Sequence, residues 1–104
     1  MHKQTKALDI PQKVKDEVLE RDGHQCIICG SIFSKPNAHY ISRAHGGLGI
    51  PENVVTLCFA CHDFYDNGAG GKSLRPIIAE YLRSQYPGWD ERKLVYRKYD
   101  LPNM

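Results

Sequence analysis

An α+β fold is predicted for this chain by three observations. Four cysteines fall into two C-x2-C pairs, Cys26 with Cys29 and Cys58 with Cys61, and 28 residues separate the pairs. Two short stretches between them, Ala38 to Ser42 and Val54 to Leu57, read as strands, and helical apolar periodicity appears on either side. At 104 residues the chain reads as one domain, 1–104, too small for a hydrophobic core to be more than marginal without a bound metal.

The elements follow in order. Residues 1–10 carry Lys3 and Lys6 and no periodic pattern, and read as a loose basic arm. A helix is expected over 11–22: Pro11 suits a first turn, Val14, Val18 and Leu19 make one apolar stripe, and Asp22-Gly23 supplies the stop. Cys26-Ile27-Ile28-Cys29-Gly30 then reads as a metal-binding knuckle, whose glycine relieves the backbone after the tight turn. Residues 31–36 connect it to the first strand, which carries His39.

Ala44 to Gly49 is a glycine loop, read either as a flexible hairpin connection or as a place where a phosphate backbone approaches closely. Pro51-Glu52-Asn53 closes it, and the β-branched second strand delivers Cys58 beside the first pair. After Cys61 a helix would place His62 and Asp66 one turn apart on one face, close enough to share a metal ion. Asn67 to Gly71 breaks it. Leu74, Ile77, Ile78, Tyr81 and Leu82 define a supporting helix over 74–84, with Pro76 in its first turn. In the tail, 90–104, Leu94 to Tyr96 reads as a terminal strand beside Arg92, Lys93, Arg97 and Lys98, a solvated basic cluster or a set of phosphate contacts.

The formal net charge of +2 is too mild to announce a polyanionic partner. Four thiolates and one zinc ion would bring it near zero, and a second divalent ion would restore about +2. The sequence shows neither a secretion signal nor an apolar run of bilayer length, so the expected location is the reducing cytoplasm, with no membrane partner. In that setting the spacing of Cys26, Cys29, Cys58 and Cys61 points to a structural Zn²⁺ site, with a redox-active dithiol as the alternative.

Several features between Cys26 and Asp66 occur together: the cysteine frame, His39 followed by Gly46-Gly47, Glu52-Asn53 before an apolar strand, and Leu57-Cys58 leading to Cys61-His62. In this combination the chain resembles the HNH nuclease family. The resemblance implies a ββα-metal unit gripping one catalytic divalent ion, with a separate structural zinc on the cysteines. It implies that His39 is the general base, that Asn53 steadies the base's loop, and that His62 is a metal ligand. Asp66 stands where that family often has histidine, and Ala38 stands where it usually has a ligand.

Hydrolysis of a phosphodiester needs an activated water and a cation that stabilises charge on phosphate, roles open to His39 and to an ion on His62 and Asp66. The carboxylate favours Mg²⁺ or Mn²⁺, with Ni²⁺ or Zn²⁺ as alternatives, and Arg43 either holds the phosphate or is simply solvated. The reading is therefore a metal-dependent endonuclease with DNA as partner, acting as a homodimer or within a larger phage or mobile-element assembly. A non-catalytic zinc-knuckle module binding nucleic acid or protein is the alternative, kept open by Ala38. A dithiol redox protein is the third.

Overall fold

The computed structural model describes residues 7–96. Residues 1–6 of the expected arm at 1–10, and the basic residues Arg97 and Lys98, lie outside the described residues, while Leu8 of that arm is buried and Asp9 pairs with Arg43, so its end is packed and not loose. The architecture is α+β: helix α1 (Gln12–Arg21), strands β1 (Ser34–His39) and β2 (Val54–Cys58), helix α2 (Phe59–Asn67) and helix α3 (Gly70–Gln85), with short 3-10 turns at Arg43–His45, Pro51–Asn53 and Glu91–Lys93.

β1 and β2 form an antiparallel two-stranded sheet, with Ser34 opposite Cys58 and His39 opposite Val54. The first strand thus begins four residues earlier than its sequence suggests and ends at His39. Its register slips between Lys35 and Ala38. Pro36 falls in that interval, and with no N–H to donate it breaks the ladder there.

All five residues of β2 are buried, because the strand is covered on both faces. Val54 packs with Val14 and Val18 of α1, while Val55 and Leu57 join Ala38, Tyr40, Leu74, Ile78, Leu82 and Leu94 in the main core. Ala38 is completely buried there, so its small side chain is a packing choice on a strand.

Arg21 locks α1 to this sheet. Its guanidinium donates to the carbonyls of Pro51 and Val54, each at 2.7 Å, and to Tyr86 Oη at 3.1 Å, while Nε sits 2.7 Å from the buried Asp22 carboxylate. Asp22 in turn accepts from the Thr56 amide at 2.8 Å and from the Tyr81 hydroxyl. A buried ion pair is tolerable when its remaining donors and acceptors are also satisfied, and most are here.

α3 starts at Gly70, four residues before its amphipathic stripe. Pro76 therefore lies inside the helix, not in its first turn, and its missing N–H leaves the Lys72 carbonyl without its helical partner. Burial of Leu74, Ile78, Ala79 and Leu82 offsets that loss, whereas Ile77 faces solvent. Among the described residues the expected strand over 94–96 is not a regular one: Leu94 is buried, and Val95 forms a single bridge to Gly47.

Candidate metal centre

Two tight turns present the four thiols. In the first, the Cys29 amide donates to Cys26 Sγ at 3.5 Å, and Gly30, at φ +80°, bends the chain back so that its own amide reaches the Cys26 carbonyl. In the second, Cys58 leaves β2 in extended conformation and caps α2, its Sγ accepting from the Cys61 amide at 3.4 Å. The Ile27 amide donates to the Thr56 carbonyl at 3.0 Å, which fixes the first turn against β2. One strand therefore positions both turns.

The ligand atoms of Cys26, Cys29, Cys58 and Cys61 all lie within 4.8 Å of one another, and Cys29 Sγ is 3.6 Å from Cys58 Sγ. A metal–thiolate bond of about 2.3 Å puts tetrahedral sulfurs about 3.8 Å apart. The donors thus fit one four-coordinate ion. Thiolate sulfur is soft, which suits zinc or iron.

The electrostatics agree with a site that needs a cation. Burial opposes ionisation of Cys26, but amides of Cys29, Cys58 and Ile28 outweigh it and bring the thiol down to about 7. The Ser31 amide favours the Cys29 thiolate, yet the neighbouring Cys58 and Cys26 sulfurs push it up on balance. Cys61 is raised, by burial first and then by the Cys58 and Cys26 sulfurs. One thiolate is easily formed; further ones repel it until a cation arrives.

Of the other residues singled out in the sequence, His39, Arg43 and Asn53 lie toward the opposite end of the hairpin, while His62 and Asp66 lie on α2. His39 is buried and its Nε2 lies 3.0 Å from the Leu8 carbonyl; burial, ahead of the Leu8 hydrogen bond that opposes it, lowers its pKa. Arg43 donates to the same Leu8 carbonyl at 3.0 Å and pairs with Asp9 at 2.8 Å. Asn53 is fully buried: its Oδ1 accepts from the Ile41 amide at 2.8 Å, and its Nδ2 donates to the carbonyls of Ile41 and Leu48.

The glycine loop is held in the same way. A Cβ on Gly47 would stand 1.6 Å from the Ile41 carbonyl oxygen and 2.9 Å from Asn53 Nδ2, so only glycine fits. His45 Nδ1 faces Ser42 Oγ at 2.8 Å. His62 and Asp66 do share one helix face, with Nε2 and Oδ2 2.9 Å apart, but they pair with each other. Among the described residues no third His, Cys, Asp or Glu joins them to make a second metal group, so the expected catalytic cation has no support.

Three residues beside the cysteines were not singled out in the sequence. Ile32, Phe33 and Phe59 are strongly exposed and line one groove with Leu57 and His62. Their signal was present: large apolar residues just after Cys29 and Cys58, where a knuckle leaves no core for them.

No family model and no solved structure matches the chain. It is 34% identical over 58 residues to a protein named Anaredoxin from Nostoc sp. (strain PCC 7120 / SAG 25.82 / UTEX 2576), an alignment that spans 55% of this chain and 76% of that protein. This finding overturns the HNH resemblance and the nuclease activity it implied. The relative carries the name of a redox protein, not of a nuclease. The phosphodiester hydrolase, the DNA partner, the phage or mobile-element assembly and the nucleic-acid-binding alternative are corrected accordingly. None of the described helices is long and apolar enough to cross a membrane.

Proposed function

The chain belongs to the same family as Anaredoxin, and on that footing we propose that it is a small metal–thiolate electron carrier. The observation that carries this reading is the convergence of four thiol sulfurs within 4.8 Å, a donor set for a single ion. Cys26, Cys29, Cys58 and Cys61 would hold an iron ion, which would supply a one-electron couple between a reduced and an oxidised partner.

The remaining residues shape that centre. Amides of Cys29 and Cys61 point at Cys26 and Cys58 sulfurs and stabilise their negative charge, the arrangement by which a protein tunes a thiolate site. Cys26 and Cys58 are buried while Cys29 is exposed, so the Cys29 sulfur is the point of contact with solvent and partner. Exposed apolar residues follow the ligands in the chain: Ile32 at 72%, Phe33 at 84% and Phe59 at 85% exposure. An apolar rim near an exposed ligand favours brief contacts of the small kind used by redox partners. Asn53, His39 and Arg43 hold the loops and the N-terminal segment at the far end of the hairpin.

Metal analysis of the protein purified without oxygen tests this. One iron per chain, with visible absorption that bleaches on reduction and returns on oxidation, is the expected result. One zinc per chain, with no iron taken up in exchange, would mark the tetrahedron as a structural clamp and overturn the carrier role.

A further inference from the structure

A sizeable cavity lies away from the cysteines. It has a volume of about 870 Å³ and opens between the Tyr40–Ser42 segment, the end of α2 and the start of α3. Nothing in the metal–thiolate reading uses it. That volume falls in the range that holds small organic ligands, about 300–1,000 Å³.

Its lining is divided by chemistry. Ile41, Val95 and the largely buried Tyr40 and Tyr65 form an apolar part. The tyrosine hydroxyls are committed elsewhere, Tyr65 donating to the Tyr40 carbonyl at 2.7 Å and Tyr40 to Glu91. Lys72 and Arg75 form a cationic part, with His45 beside them as a further ring-nitrogen donor, against the single carboxylate of Asp66, which is paired with His62. Arg75 is held over the Tyr40 ring at 4.7 Å and reaches Glu91 only at 3.5 Å.

Two of these donors have unspent capacity. Lys72 makes no hydrogen bond or ion pair among the described residues. The Ser42 contact occupies His45 Nδ1 and leaves Nε2 unengaged among the described residues. A lysine, an arginine and a histidine nitrogen thus line one recess, and an oxyanion is the ligand whose chemistry suits such a set of donors. The cavity is much larger than phosphate alone, and its apolar part would cover an organic group.

We propose that this cavity binds a small organic phosphomonoester, with the phosphate on Lys72, Arg75 and His45 and the organic part against Ile41, Val95 and the two tyrosine rings. Affinity is then the joint product of charge and apolar burial. Either part alone binds weakly.

Amide chemical shifts of the metal-loaded protein, titrated in turn with phenyl phosphate, inorganic phosphate and phenol, test the site. Phenyl phosphate is expected to bind saturably, at least tenfold tighter than either other probe, with shifts confined to residues 40–45, 65–75 and the neighbourhood of Val95. Lys72→Ala, an exposed change that spares the core, should weaken phenyl phosphate at least fivefold and leave phenol unchanged. The proposal is overturned by equal affinity for phenol and phenyl phosphate, by inorganic phosphate binding as tightly as the ester, by no saturable shifts at millimolar probe, or by wild-type affinity in Lys72→Ala.

Discussion

The two ends of the β hairpin carry the chain's most conspicuous polar residues and treat them in opposite ways. At one end Cys26, Cys29, Cys58 and Cys61 point at one another, with little but their own turn amides for company. At the other, His39, Arg43 and Asn53 are each spent on the protein's own backbone, at Leu8, Ile41 and Leu48. Donors that converge and lack partners define a ligand site; donors that are individually satisfied define structure. The second group thus differs from the cysteines in that its hydrogen-bonding capacity is spent on the protein's own backbone, Asn53 holding the loop at Ile41 and Leu48.

The largest expected break in that contrast comes from the converging end. Cys26→Ser should lower metal affinity by more than the ~10–100-fold typical of losing an outer-sphere partner, and should remove the cooperative unfolding transition, as read by metal titration and thermal melts. Asn53→Ala, at the other end, strands the Ile41 amide and two carbonyls. Denaturant melts should show a loss of about 2–3 kcal/mol with metal stoichiometry unchanged. A drop in bound metal for Asn53→Ala would erase the distinction between the ends.

Acid should act on the two ends separately. Protons compete with metal for thiolates, so apparent affinity falls as pH falls. Below about 7 the Cys26 proton must be displaced as well. A competition assay with a chelator of known pH dependence should therefore show a slope steeper by about one decade per pH unit below that point than above it. His39 gives the smallest effect. Its folded pKa is depressed below 6.5 by burial, so its contribution to stability is present above 6.5 and is lost as pH falls through the folded value. His39→Gln, which keeps a donor for Leu8, should flatten that segment of the stability profile.

Much of the framework was legible in the chain. The α+β class followed from two short apolar stretches between amphipathic helices, and the cysteine grouping from two C-x2-C pairs. The strand boundaries were less so, because β1 is Ser-Lys-Pro-Asn-Ala-His, which lacks alternating apolar residues and is held by pairing with a wholly buried β2. The early start of α3 was hidden by three glycines near Asn67–Gly71 and by Pro76, whose local preferences are overruled by packing.

Site roles were the least legible. His62 and Asp66 fall at the expected helical spacing, yet spacing cannot say that each would take the other as partner. Arg21 and Asp22 read as an ordinary helix end, and only the fold shows a buried pair clamping three elements. Ala38 looked like a missing ligand because an order of residues was being matched; in the fold it is a fully buried strand residue.

X-ray absorption on the iron-loaded protein, in oxidised and reduced states, tests the central claim most directly. Four sulfur neighbours at about 2.3 Å in both states, no metal–metal scattering, and an edge that shifts by one electron are predicted for a single ion held by these cysteines. A metal–metal distance, or an edge unmoved by dithionite and ferricyanide, would contradict it.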